Sequence, residues 1–158
     1  IKIQIYGDKA NAGRQYNSAY GWLKLPVIWA NTSRPRAYFQ WGIYKPDVKY
    51  LGYWENQDIV KTNHPNLKVS TWILPERVLV LIFNDHKTER VGEVQVTVDM
   101  EKLGIMPLKP WKRRIDFYQI EGPEWSPRDQ PGFSPYSGII QGFPLAPRGW
   151  VSFAIAKY

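Results

Sequence analysis

The sequence predicts an all-β fold, a two-sheet antiparallel β-sandwich of about eight to ten short strands with room for one short helix near 34–45. Three observations predict it. Val94, Val96 and Val98 alternate with Gln95, Thr97 and Asp99, so that run has one apolar and one wet face, as a strand packed on one side requires. Val78 to Phe83 is apolar at every position, which suits a central strand covered on both sides and is too short for a helix. Amphipathic helical periods are missing between the strand-like runs, which disfavours a parallel α/β arrangement.

In chain order, Ile1 to Tyr6 alternates as a short strand, and the Asn- and Gly-rich stretch from Gly7 to Gly21 reads as a loop or extended arm. Trp22 to Trp29 reads as a further strand. Pro26 cannot donate to a ladder, so this strand belongs at an edge or carries a bulge. Residues 34–45 support two readings. Ala37, Gln40, Trp41 and Tyr44 would line a short helix, whereas Tyr38, Gln40 and Gly42 alternate with Phe39, Trp41 and Ile43 as in a strand. Val48 to Trp54 reads as a strand running into an aromatic turn.

Lys68 to Leu74 places β-branched Val69, Thr71 and Ile73 on one parity, and Pro75-Glu76 turns it into Arg77 to Phe83, a hairpin over 68–83. Asn84-Asp85-His86 ends that run. Arg113 to Ile120 alternates again, with Ile115, Phe117 and Gln119 opposed to Asp116, Tyr118 and Ile120. Residues 121–149 carry so many Gly and Pro that ordered loops around one short strand at 137–141 are expected. Trp150 to Tyr158 closes the chain as a strand, with Val151, Phe153 and Ile155 on one face. Its other face, Ser152, Ala154 and Ala156, is small enough for close approach by another element. Residues 1–45 are thus an N-terminal arm or edge segment and 46–158 the sandwich, a single domain overall.

The order of these features carries a resemblance. A Gly-Tyr-Trp-Glu-Asn turn at 52–56 leads to a Val-Ser-Thr strand and then to an apolar strand ending in Phe-Asn-Asp. A Val-x-Val-x-Val-Asp strand follows, closing on Lys-Leu-Gly-Ile. This resembles the C-terminal β-sandwich that follows the catalytic barrel in certain large glycoside hydrolases, best over residues 37–105. The resemblance implies an accessory domain whose catalytic carboxylates lie on the barrel, and a catalytic barrel domain as partner. A chain opening on Ile1 rather than Met leads us to expect an upstream segment in the parent protein.

Composition narrows the function classes. A chain of 158 residues buries a core without staples, and it has no cysteine, so disulfide and cysteine–metal frameworks are excluded. His64 and His86 are the only histidines; a zinc site would need carboxylates for most of its ligands, and we expect no metal or other cofactor. No apolar run approaches the roughly 20 residues of a membrane span. Lack of cysteine is compatible with secretion, and the expected location is extracellular or cell-surface; Asn31-Thr32-Ser33 would accept a glycan only in a eukaryotic secretory setting. Net charge is +7, yet the basic residues are dispersed apart from clusters at 109–114 and 34–36, and no nucleic-acid-reading pattern accompanies them. Nucleic acid is therefore not an expected partner.

Catalytic signals are thin. Glu55 with Asp58, Glu121 with Glu124, and Asp99 with Glu101 are close in sequence, but glycosidic hydrolysis needs two carboxyls roughly 5–10 Å apart across the scissile bond. Nucleophile elbows, phosphate loops and dinucleotide fingerprints do not occur, and the chain does not read as an enzyme on its own.

The binding signal is aromatic. Eight Trp, 10 Tyr and 6 Phe exceed what a small core needs, and flat rings stack on the apolar faces of pyranose sugars. Two groups stand out as carbohydrate-binding candidates: Tyr53, Trp54 and Glu55 in the turn, and Trp111, Trp125, Arg128, Asp129 and Tyr136 around the Pro-rich loops. Each has an ordinary alternative. Trp54 would pack in the core while Glu55 caps a turn, and the loop aromatics would staple the loop to the sandwich. A further expectation from the same composition is a homo-oligomer, an extracellular filament or shell in which the N-terminal strand pairs with the next subunit.

Overall fold

The structure, a computed structural model, describes residues 2–3, 27–28, 42, 45–105 and 115–157. The loop expected at 7–21, nearly all of the ambiguous 34–45 segment, the sequon, both basic clusters and Trp111 lie outside the described residues. Among the described residues there are eleven strands, nine of them in two antiparallel sheets, and no helix. The fold is the expected all-β sandwich.

The first sheet holds β3 (Lys49–Leu51), β5 (Leu67–Leu74), β6 (Arg77–Asn84), β8 (Ile115–Glu121) and β11 (Trp150–Lys157), in the order β3-β5-β6-β11-β8. The second holds β4 (Val60–Thr62), β7 (Val91–Val98), β9 (Gly132–Ser134) and β10 (Ile139–Leu145), ordered β4-β7-β10-β9. Two further short strands, β1 (Lys2–Ile3) and β2 (Val27–Ile28), pair in parallel with each other.

Strand β6 lies at the centre of the five-stranded sheet, where its unbroken apolar run belongs. Val78, Val80 and Ile82 enter the core between the sheets with Val69 of β5 and Val151, Phe153 and Ile155 of β11. From the other sheet come Val94, Val96 and Val98 of β7 and Ile140, Phe143 and Leu145 of β10. The opposite parity of β6, Leu79, Leu81 and Phe83, forms a second cluster on the outer face with Trp72, Leu74 and Ala154, partly covered by Val48, Tyr50, Tyr53, Ile120 and Trp150. Every side chain from Val78 to Phe83 is at most 1% exposed, so each contributes about 1.5–3 kcal/mol of transfer free energy. Ser152, Ala154 and Ala156 of β11 are buried too, which agrees with a small-residue face under close cover.

The hairpin over 68–83 forms in full register, from Leu67↔Asn84 to Leu74↔Arg77. Its two-residue turn is Pro75 followed by Glu76 at φ 64°, the sign pattern of a type II turn. Three strands depart from the sequence reading. The three-residue strands β4 and β9 fall where no strand is expected, because three residues carry no countable period. Strand β10 extends to Leu145, past the expected end at 141, although it contains Gly142 and Pro144. Register shifts on either side of Phe143 absorb both residues, Gly142 at φ 90°. Pro144 also lies beyond Ile139–Gln141, the only part of β10 that pairs with β9, so its missing N–H costs no ladder bond on that side.

Candidate functional site

The ends of β6, β8 and β10 and the starts of β5, β7 and β11 meet at one end of the sandwich, as the pairs Leu67↔Asn84, Leu145↔Val91, Trp150↔Phe83 and Ser152↔Glu121 show. The loops that leave them enclose an open cleft of about 750 Å³. Its walls include Trp125 and Trp150, the carboxylates of Glu121, Glu124 and Asp129, and the guanidinium groups of Arg90 and Arg148.

Trp125 is set by two contacts. Its Nε1–H donates to Gln119 Oε1 of β8, and its ring lies 5.1 Å from that of Phe143 at 60°. The loop after it is self-braced: Ser126 Oγ donates to Asp129 Oδ2 at 2.9 Å, and Gln130 Nε2 donates to Ser126 O at 2.9 Å. The loop-staple alternative thus describes part of what Trp125 does, while the cleft-facing part of its ring stays open. Glu124 and Arg90 have no ion-pair partner among the described residues, and both are exposed.

On the far wall, Arg148 takes the left-handed conformation at φ 58°, which a non-glycine residue holds only when its surroundings fix it. Three contacts do so. Its Nη1 meets Asp85 Oδ1 at 2.6 Å, its backbone N–H donates to His86 O, and its guanidinium lies 5.9 Å from the Phe83 ring centre. Beneath it Asn84, fully buried, donates through Nδ2 to Glu89 O at 2.8 Å, Ala146 O at 3.0 Å and Leu145 O at 3.3 Å. Sequence reasoning used Asn84 only as a strand-ending turn residue. No local pattern marks it, because strand order rather than sequence neighbours buries Asn84.

Both histidines lie in loops at this end and face one carboxylate. His64 Nε2 is 3.7 Å from Glu89 Oε1, and His86 Nε2 is 3.7 Å from Glu89 Oε2. Each Nδ1 accepts a backbone N–H, from Asn66 at 3.2 Å and from Glu89 at 2.7 Å, so the neutral rings carry their hydrogen on Nε2 toward Glu89. Metal ligation through Nε2 needs the other tautomer. Among the described residues no group of three His, Asp or Glu side chains is arranged to hold a metal ion.

The other expected residues lie elsewhere. Tyr53, Trp54 and Glu55 occupy the β3–β4 turn at the opposite edge of the five-stranded sheet from β8. Glu55 Oε2 accepts the Gly52 N–H at 3.3 Å, and Trp54 is 45% exposed rather than in the core. Tyr136 borders a smaller hollow of about 290 Å³ with Asp58, Asp99 and Glu101, at the other end of the second sheet. Arg128 is exposed in the β8–β9 loop and does not line the cleft. Of the expected residues, the structure brings Trp125 and Asp129 together in the cleft, joined by Glu121, Glu124, Arg90, Arg148 and Trp150 from distant segments.

No curated protein and no solved structure matches the chain. A family described as glycoside hydrolase 123, C-terminal domain, matches residues 36–122, which extends the resemblance noted over 37–105 through β8. The match ends at the mouth of the cleft, so the wall from Pro123 to Trp150 lies beyond it. It covers more than half of the chain and follows the hairpin, the β7 alternation and the edge strand in order, and the protein therefore belongs to the family of glycoside hydrolase 123 C-terminal domains.

Proposed function

We propose that the chain is a non-catalytic accessory module of a glycoside hydrolase and that it contacts carbohydrate through the cleft at the β8–β9 and β10–β11 loops. The observation that carries this reading is the joint presence of two tryptophans, three carboxylates and two arginines around one open cleft of about 750 Å³. Rings meet the apolar faces of sugars, and carboxylates and guanidinium groups fix hydroxyls. Family membership supports a catalytic domain as the partner within the same enzyme. Glu124 stands exposed and Asp129 is held by Ser126, an arrangement that suits accepting hydrogen bonds from sugar hydroxyls. An extracellular location is part of this proposal. No observation favours the filament reading, since Lys2–Ile3 pairs with Val27–Ile28 of its own chain.

Affinity electrophoresis in gels cast with laminarin, xylan or galactomannan tests the proposal. The wild-type chain should be retarded in at least one of them, and Trp125→Ala and Glu124→Ala should each restore mobility. Glu124 is exposed, so its substitution leaves the fold intact. Equal mobility of the wild type in plain and glycan-containing gels would sink the proposal.

A further inference from the structure

The β3–β4 turn presents a tryptophan in an unusual setting. A Cβ built on Gly52 would lie 2.6 Å from Trp54 Cη2, 2.6 Å from Cζ2 and 2.8 Å from Cε2. Near-equal distances to three consecutive ring atoms place the glycine under the face of the indole, not at its edge. Two tyrosines hold the ring as well. Tyr53 meets it at 4.9 Å and 87°, and Tyr50 at 6.5 Å and 70°, both edge-to-face. Tyr50 in turn leans on buried Trp72 at 4.9 Å, which ties the stack to the outer core of the sheet. With one face on Gly52 and two tyrosines in edge-to-face contact, Trp54 still keeps 45% of its surface exposed.

An exposed large aromatic ordinarily swings free or packs down. This one is held by three neighbours while nearly half of it stays exposed, so binding to it costs little rotamer entropy. The groups around it are polar. Glu55 uses Oε2 on the Gly52 N–H and keeps Oε1 for a donor, and the Lys68 ammonium lies 5.7 Å from the Tyr53 ring centre while donating to Pro65 O at 2.9 Å. A buried backbone anchor completes the turn: Asn56, 2% exposed, donates through Nδ2 to Val69 O at 2.9 Å and Leu51 O at 3.4 Å.

We propose that Trp54 is a stacking platform for one pyranose ring, a second carbohydrate contact at the opposite edge of the five-stranded sheet from the cleft. The sugar lays its C–H face on the exposed part of the indole, and Glu55 Oε1 accepts one of its hydroxyls. This rests on the reading of the module as a carbohydrate-contacting domain. Two platforms at opposite edges suit an extended glycan or a glycan-coated surface rather than one small sugar, because each contact alone is weak and the pair gains by effective concentration.

Saturation-transfer NMR on the full chain, with methyl β-D-glucopyranoside and methyl β-D-galactopyranoside as separate probes, tests the platform apart from the cleft. Irradiation of the aromatic ring protons should transfer to the sugar ring protons for at least one probe. Trp54→Ala should abolish that transfer, and Trp54→Phe should weaken binding by roughly 3- to 10-fold, the worth of part of one aromatic contact. Trp125→Ala should leave it unchanged. Transfer that survives Trp54→Ala and disappears in Trp125→Ala overturns the platform and leaves the cleft reading standing. Transfer lost in Trp54→Ala and kept in Trp125→Ala is the result the platform predicts, and the cleft is decided separately by the affinity gels. A wild-type chain that gives no transfer overturns the platform.

Discussion

The β3–β4 turn and the cleft are both aromatic, both flank the five-stranded sheet, and each hangs on one buried asparagine. They differ in how far that asparagine reaches. Asn56 ties carbonyls of Leu51 and Val69, neighbours along the chain or across one strand. Asn84 ties Glu89 to Leu145 and Ala146, joining loops whose segments lie some sixty residues apart. The turn is therefore a local structure attached to a sheet edge, whereas the cleft exists only once both sheets have assembled. Loop-closure entropy is spent before the cleft's contacts form.

Substitution of the two asparagines should separate the two regions most strongly. Asn84→Ala strands buried carbonyls and unties the floor of the cleft, so unfolding in urea should show a loss of about 3 kcal/mol together with loss of glycan retardation. Asn56→Ala should cost about 2 kcal/mol, because it removes two bonds instead of three, and should leave cleft binding intact. Equal and small losses, under about 0.5 kcal/mol, would show that neither residue anchors its region.

Gly52→Ala separates structure from presentation. Its Cβ would meet the Trp54 ring at 2.6 Å, and the side chain must swing away, at a cost of about 1 kcal/mol in stability. Trp54 fluorescence should shift to longer wavelength as the ring enters water, while cleft binding persists. An unshifted spectrum would mean that the indole face does not rest on the glycine.

The smallest effect is a pH dependence confined to the turn. Burial pushes the Tyr50 phenol above its ordinary range; the bond to Ser70 opposes this, and the charges of Glu55 and Tyr53 add to it. The folded state then holds the phenolic proton more tightly than the unfolded one. Stability is whole below the unfolded tyrosine value of about 10 and declines as pH rises from there toward the folded value. Tyr50→Phe should flatten that decline in urea titrations between about pH 9 and 11, and an unchanged slope would place the ring in water.

The same contrast explains what the sequence disclosed. Strands β6 and β7 were legible because burial writes itself into residue parity: six apolar positions in a row for a strand covered twice, and alternating valines for one covered once. The turn was legible because Gly52, Tyr53, Trp54, Glu55 and Asn56 are consecutive, although parity could not say that Trp54 lies outside the core. The cleft was legible only in its contiguous piece, Trp125 and Asp129 on one loop. Arg90, Arg148 and Trp150 reach it through strand order, which no local pattern encodes. Strand β10 was cut short for a related reason: Gly142 and Pro144 look like breakers until bulges and a missing neighbour accommodate them.

The cleft is proposed to contact carbohydrate. The most direct measurement is a 15N-edited NMR titration of the full chain with oligosaccharides released from laminarin, xylan and galactomannan, reading the Trp125 indole N–H and the backbone amides of Glu124, Ser126 and Asp129. Saturable shifts at these four positions are expected with at least one oligosaccharide set. Unmoved resonances along the cleft with all three sets would contradict it.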